Sequence, residues 1–162
     1  MAIYMNFNDL AIKGNVTAEG YADWINIQSL QYGIGRGISM EAGNVANREA
    51  SRPSISELSI SKMMDTSSAK LLNESVTGAA GIKVVIEIVK TGAKQLDKFC
   101  TIELENVLVS GYSVSSGGEG APSESISLSF TKIQYEYVSG AVDNADATTM
   151  KVGYDLVTGK PL

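Results

Sequence analysis

Long stretches of this chain alternate apolar and polar side chains with a period of two residues. Residues 3–7, 82–88 and 126–130 each place an apolar side chain at every second position. That spacing is typical of a strand with one buried face, whereas a helix repeats every ~3.6 residues. The sequence therefore predicts a mostly β protein with seven or eight strands.

The apolar positions change phase at two places. They move from odd positions in residues 25–27 to even positions in residues 30–32, and a similar change occurs within residues 126–137. Because a shift of one residue turns every side chain to the opposite face, a bulge or tight bend is predicted near Gln28 and again in the later segment. Strongly bent strands favour barrels. We expect one domain over residues 1–162, a compact antiparallel β-barrel of two packed sheets with one flanking α-helix.

One segment has the features of a helix. Asp65, Thr66 or Ser67 can accept hydrogen bonds from free backbone N–H groups at its start, and Gly78 can end it in a left-handed conformation. The mostly apolar face of this helix is expected to contain Leu71, Leu72, Ser75 and Val76.

Residues 33–52 hold four glycines and little periodicity, which predicts one long exposed loop. Loops of this length in compact domains are usually functional. The glycine cluster at residues 33–37 invites comparison with dinucleotide-binding loops, but residues 39–47 lack the helical periodicity that such a site needs. A strand leaving its sheet is the favoured interpretation.

The chain has no histidine and one cysteine, Cys100. These absences argue against imidazole bases, catalytic triads, nearly all zinc sites and an internal disulfide. Cys100 is in phase with Ile102 and Leu104, so a buried thiol is expected. Glu103 and Glu105 lie about 6.8 Å apart by strand rise, a spacing that glycosidases use, but no aromatic cleft accompanies them. We expect no catalytic, cofactor or metal site.

The net charge is -5 and the basic residues are scattered, which argues against nucleic acid as a partner. The first ten residues lack the basic and apolar regions of a signal peptide, and no window approaches the roughly 18 apolar residues of a membrane span. The expected location is the cytoplasm, without stable membrane association, unless a machine that needs no signal exports the protein.

Small hydroxyl side chains occupy one face of two predicted strands. Ser125, Ser127 and Ser129 alternate with large apolar residues, and Ser29 and Gln31 do the same earlier in the chain. Ordinary solvent exposure explains such a face. A small, neutral, hydrated surface also suits the lining of a channel, because exposed strands more often carry charged residues.

Two long segments carry a family resemblance: SRPSISELSISKMMDTSSAKLL at residues 51–72 and VLVSGYSVSSGGEGAPSESISLSFTKIQYEY at residues 107–137. Together with the turn at Lys13 and Gly14, they make nearly the whole chain resemble the haemolysin-coregulated protein (Hcp) family, the inner-tube subunit of type VI secretion systems. Tyr154 departs from the tryptophan of many relatives, which affects packing more than role.

The resemblance implies a structural protein and not an enzyme. Six copies would form a homo-hexameric ring, and rings would stack into a tube that works with type VI sheath and spike proteins, carries effector proteins in its lumen and is itself secreted. The expected lumen and cargo-facing residues are Ser29, Gln31, Ser127 and Ser129. The expected ring-stacking loop contains Met40, Val45 and Arg48.

Two alternatives remain at this point. A tail-tube protein of a contractile phage-like particle would share the ring geometry. A soluble carbohydrate-binding β-domain would need aromatic platforms on an exposed face, and Trp24 is the chain's single tryptophan.

Overall fold

The computed structural model describes residues 1–40, 42–43, 48–78, 80–91, 96–139 and 148–162. Within these ranges the chain is mostly β, and one α-helix is present. The elements are β1 (Ala2–Phe7), β2 (Ile25–Ile27), β3 (Ser29–Gln31), β4 (Ile34–Gly35), β5 (Ile38–Met40), β6 (Arg48–Ala50), β7 (Ser54–Ile55), β8 (Leu58–Met63), α1 (Ser68–Thr77), β9 (Ile82–Thr91), β10 (Leu96–Ser115), β11 (Ser123–Ser129), β12 (Lys132–Ser139), β13 (Thr148–Asp155) and β14 (Lys160–Pro161).

Antiparallel pairing joins the longer strands into a barrel of two sheets. β2 pairs with β1, β1 with β9, β9 with β10, β10 with β11, β11 with β8, and β8 with β3. Since β2 and β3 are consecutive parts of residues 25–31, this path returns to its starting segment. β12, β13 and β14 extend the first sheet outward from β10. The predicted barrel of two packed sheets is confirmed.

β10 belongs to both sheets. Its residues 96–107 pair with β9, and residues 108–115 pair with β11. Between these parts, Asn106 adopts a left-handed conformation with φ of 51–53° rounded to 52°, and its Nδ2 donates to Thr131 Oγ1 at 3.0 Å. Thr131 N in turn donates to Glu105 O at 3.1 Å. The strand therefore bends where its partner changes from β11 to β12.

Both predicted phase changes coincide with a change of sheet. At Gln28 the chain leaves β1 and joins β8, and Gln28 N donates to Ser61 O at 2.8 Å. Near Thr131 the chain passes from β11 to β12. The predicted bends are confirmed, because a strand that switches sheets must present its other face to the same core.

The core lies between the two sheets and is aliphatic. Cys100 is buried in it, as predicted, and burial raises the pKa of its thiol. The fully buried large side chains of this core include Met5, Phe7, Ile25, Leu58, Ile60, Leu71, Ile86, Ile102, Leu104, Ile126 and Leu128.

The helix begins and ends where the sequence predicts, but its buried face is narrower. Ser67 is the N-cap residue and makes no capping bond with its side chain; Gly78 follows the last turn with φ of 53°. Leu71 is buried, whereas Leu72 and Val76 are 48% and 79% exposed. The predicted four-residue apolar face is therefore wrong in part, since Leu72 and Val76 project about 100° away from the line through Leu71.

A buried ionic cluster fixes the helix to the second sheet. Lys62 Nζ lies 2.6 Å from Glu124 Oε2 and 2.9 Å from Asp65 Oδ1. Ser68, the first residue of α1, donates from Oγ to Glu124 Oε2 at 2.9 Å. Tyr112 donates its hydroxyl to the other oxygen of Glu124. The start of the helix is thus hydrogen-bonded to β8 and β11 through side chains.

The cluster controls protonation as well as position. Burial alone would raise the pKa of Glu124, but hydrogen bonds from Lys62, Tyr112 and Ser68 outweigh it and lower the pKa below its ordinary value. Burial and the bond to Glu124 raise the pKa of Tyr112 to about 12. Glu124 is therefore held as a carboxylate and Tyr112 as a neutral donor.

The long loop predicted at residues 33–52 is largely a two-stranded ribbon. β4 pairs with β7, and β5 pairs with β6 in a register that sets Ile38 opposite Ala50 and Met40 opposite Arg48. We call residues 33–56 the arm. The prediction of an unpaired loop is wrong because it relied on periodicity, and a ribbon exposed on both faces needs none.

Replacing Lys62 by methionine tests the buried cluster. Lys62→Met leaves the carboxylates of Glu124 and Asp65 buried without their cation, so we expect a loss of about 3–5 kcal/mol in the free energy of unfolding. Lys13 is a matched control, because its 3.0 Å ion pair with Asp23 is exposed, and Lys13→Met is expected to cost at most about 1 kcal/mol. Chemical denaturation of both variants measures the difference, and equal losses would contradict a structural role for the cluster.

Candidate functional site

Four neighbouring strand segments present one surface of small hydroxyl side chains. β3, β8, β11 and residues 108–115 of β10 lie side by side in the second sheet. One row across them aligns Ser29, Ser61, Ser125 and Ser113. We call this surface the hydroxyl face; it consists of Ser29, Gln31, Ser59, Ser61, Ser113, Ser115, Ser123, Ser125, Ser127 and Ser129.

Pairing across the strands explains how the hydroxyl face forms. The next row aligns Gln31, Ser59, Ser127 and Gly111. Between these rows, large side chains such as Ile60 and Ile126 point to the opposite side, into the core. Since side chains alternate along each strand, an aliphatic core on one side places the intervening serines on the other.

Hydrogen bonds within the hydroxyl face leave it flat and hydrated. Ser29 Oγ and Ser61 Oγ lie 2.5 Å apart across β3 and β8. Ser110 Oγ donates to the Ser127 carbonyl at 3.2 Å. The side chains are short, so little of any one of them projects beyond the sheet.

The hydroxyl face carries no charge among the residues of its four segments. Lys62 and Glu124 are the charged residues in these segments, and both point inward to the buried cluster. Met63 and Leu108 supply apolar contacts at its margins and are partly exposed. The face can offer hydroxyl groups and water to a neighbouring molecule, but no strong ion pair.

Both outer strands of the hydroxyl face have one unpaired edge within the described residues. β3 pairs with β8 alone, and residues 108–115 of β10 pair with β11 alone. The four segments alternate in direction, so β3 and this part of β10 run in opposite directions. Their free N–H and C=O groups can accept an antiparallel strand from outside the chain.

The structure brings together the four residues predicted to line a channel. Ser29 and Gln31 on β3, with Ser127 and Ser129 on β11, all belong to the hydroxyl face, separated by β8. Sequence reasoning did not include Ser59, Ser61 and Ser113 in the site. Their alternation with apolar residues is visible in the sequence, but only the register of the strands aligns them with Ser29.

The residues predicted for stacking lie elsewhere, on the arm. Met40 and Arg48 are opposite each other in the ribbon of β5 and β6, and Val45 falls outside the described residues. At the base of the arm, Ser51 Oγ accepts a hydrogen bond from Gly37 N at 2.8 Å. Ile34 and Ile38 are largely exposed along it. The arm is therefore separate from the hydroxyl face.

The candidate enzymatic features are accounted for by structure. Glu103 Oε2 lies 3.3 Å from Lys83 Nζ, and Glu105 Oε2 lies 3.2 Å from Lys132 Nζ. The two carboxylates thus form a stripe of ion pairs with neighbouring strands. The glycine cluster at residues 33–37 leads into β5 and not into a helix, so it lacks the helix N-terminus that binds a pyrophosphate.

Within the ranges that the structure describes, no group of histidine, cysteine or acidic side chains is arranged to hold a metal ion. The same ranges contain no helix of the length and apolar character needed to cross a membrane.

Comparisons with known proteins agree on one family. Residues 4–137 match the family model described as "Type VI secretion system effector, Hcp". The chain is 30% identical over 104 residues to protein hcp1 of Pseudomonas aeruginosa PAO1, a match that covers 63% of this chain and 64% of that relative, less than two thirds of its length.

Solved structures share the fold. A structure described as that of "a type six secretion system protein" superposes with a TM-score of 0.88 at 25% identity, and covers 99% of both chains. The crystal structure of Hcp1 from Salmonella typhimurium superposes with a TM-score of 0.76 at 22% identity over 100% of both chains. Because the family model spans most of the sequence, this chain belongs to the Hcp family of type VI secretion tube proteins.

Proposed function

We propose that this protein is the building block of the type VI inner tube, that six copies close into a ring, and that stacked rings carry effector proteins in their lumen. The observation that carries the proposal is the neutral hydroxyl face, bounded on both sides by an unpaired strand edge. A surface with these two properties is suited to line a closed wall.

The unpaired edges favour a ring over a two-fold dimer. β3 and residues 108–115 of β10 lie at opposite sides of the hydroxyl face and run in opposite directions. When β10 of one copy meets β3 of the next, the alternation of strand direction continues without interruption. Contacts of this head-to-tail kind close into rings when the rotation between copies permits.

The hydroxyl face matches the needs of a carrier. Cargo must be held during assembly and released later, so contacts of millimolar to micromolar strength, about -4 to -8 kcal/mol, are appropriate. Serine hydroxyls and bound water provide such contacts without a charged group that selects one partner. Ser29, Gln31, Ser127 and Ser129 are the proposed cargo-facing residues, and Ser59, Ser61 and Ser113 join them by position.

The arm is the proposed contact between rings. It leaves the barrel as a narrow ribbon and exposes Ile34 and Ile38. An apolar ribbon of this kind is stabilised when a second surface covers it. Met40, Val45 and Arg48, toward the turn of the arm, are the proposed stacking residues.

The remaining partners follow from the tube. A tube of this family works inside a sheath and below a spike, so we include both as partners, together with the effectors. The chain would be made in the cytoplasm and leave the cell through the type VI machine. Nucleic acid and membranes have no part in this proposal.

The mass of the native particle tests ring formation. We expect native mass spectrometry to give six times the chain mass of 17.1 kDa, and negative-stain images to show rings, because the unpaired edges are covered only in an assembly. A monomer at micromolar concentration would refute the ring and the carrier role together.

A bulky residue on the hydroxyl face tests the carrier role. Ser29→Trp is expected to leave rings intact and to reduce several-fold the effector protein that co-purifies from the native host, because indole fills the lumen wall. Val157→Trp is the control, since Val157 is 75% exposed and lies outside this face. Mass spectrometry of the purified rings quantifies the cargo. Loss of the rings themselves in Ser29→Trp would place Ser29 at an interface.

Charge reversal at Arg48 tests the arm. Arg48→Glu is expected to shorten tubes while single rings keep their mass, because the arm contacts the next ring and not the neighbour within a ring. Lys160→Glu makes the same change of charge at an exposed site near the C-terminus. Tube lengths in electron micrographs measure stacking, and unchanged lengths in Arg48→Glu would remove this residue from the contact.

A further inference from the structure

The first sheet extends beyond the barrel and carries an exposed apolar surface there. In the register of β12 and β13, Tyr135 is opposite Val152 and Tyr137 is opposite Met150. These four side chains continue the core side of the sheet, since Tyr137 is paired with buried Cys100. Met150 and Val152 are nevertheless 64% and 62% exposed. We call this surface the wing.

The wing has a lysine at its border. Phe99 contacts Tyr137 edge to face, with ring centroids 5.3 Å apart. Lys90 Nζ lies 4.7 Å from the centroid of the Phe99 ring. The ammonium group is therefore held beside the apolar surface. An incoming apolar segment that carries a carboxylate would complement both features.

Helix α1 exposes an apolar segment with such a carboxylate. Leu72 and Val76 lie outside the core, one turn apart on the same side of the helix. Glu74 lies between them in sequence, and its Oε2 atom is buried yet has no hydrogen-bond partner in the part of the chain that the structure describes. A carboxylate with one desolvated oxygen is stabilised when a cation approaches it.

We infer that α1 of one copy packs on the wing of the next copy, with Leu72 and Val76 against Met150 and Val152, and with Glu74 beside Lys90. This inference rests on the proposed ring and names the outer part of its subunit contact. Apolar groups meet apolar groups, and the negative side chain meets the positive one.

The two surfaces cannot meet within one chain. The buried cluster of Lys62 and Glu124 fixes the start of α1 to the second sheet, whereas the wing lies at the outer side of the first. A second copy supplies both missing surfaces at once. The contact is head-to-tail, like the strand-edge contact at the hydroxyl face, so the same rotation serves both.

Chemical cross-linking tests this contact directly. Val76→Cys and Met150→Cys are combined in one chain, both at exposed positions that tolerate replacement, and a short bis-maleimide is added to the assembled protein. We expect covalent dimers and a ladder up to the hexamer. Native Cys100 is buried and does not react in the folded protein. The matched control combines Met150→Cys with Val157→Cys, which is equally exposed but belongs to neither surface, and we expect no ladder from it.

Charge exchange provides the second measurement. Glu74→Lys and Lys90→Glu are each expected to raise the protein concentration at which rings dissociate by about tenfold, and the double variant is expected to return it toward the wild-type value, as measured by sedimentation. Rings that persist without a Val76–Met150 ladder, or single variants without rescue in the double variant, would overturn the inference and leave the ring standing. A monomeric wild-type protein would instead overturn the proposed function.

Discussion

The bend of β10 is the constraint on which the rest of the structure depends. One strand of twenty residues supplies hydrogen bonds to β9 and β12 in its first part and to β11 in its second. Asn106 makes this possible by adopting a left-handed conformation, which asparagine tolerates better than most residues, while Thr131 holds its side chain. The two sheets can therefore share a strand and enclose a common core.

The shared core determines what remains outside. Because aliphatic side chains of β8 and β11 fill the interior, the serines between them form the opposite surface. The charged residues of the same strands would interrupt that surface if they pointed outward. Instead, Lys62 and Glu124 face inward and neutralise each other beside the start of α1. The same ion pair thus anchors the helix and leaves the hydroxyl face neutral.

Three separate surfaces result, and each suits a different contact. The hydroxyl face offers weak polar contacts to cargo, with strand edges at its sides. The exposed part of α1 and the wing are apolar, oppositely charged at their borders, and placed on different sheets. The arm projects separately. Closing a ring, stacking rings and holding cargo therefore use different residues, so that each step can be weakened without the others.

The sequence by itself determined the strand content, the helix limits and both changes of sheet, because a period of two and its phase are local properties of the chain. It also indicated that Ser29 and Ser127 oppose apolar residues. It did not reveal the ribbon of the arm, since pairing there is made by backbone groups and leaves no pattern in the side chains. Only the tertiary structure decided that Ser29, Ser61, Ser125 and Ser113 form one row and that Leu72 and Val76 stay outside the core. Register and helix orientation depend on contacts between residues far apart in the chain, which no local pattern encodes.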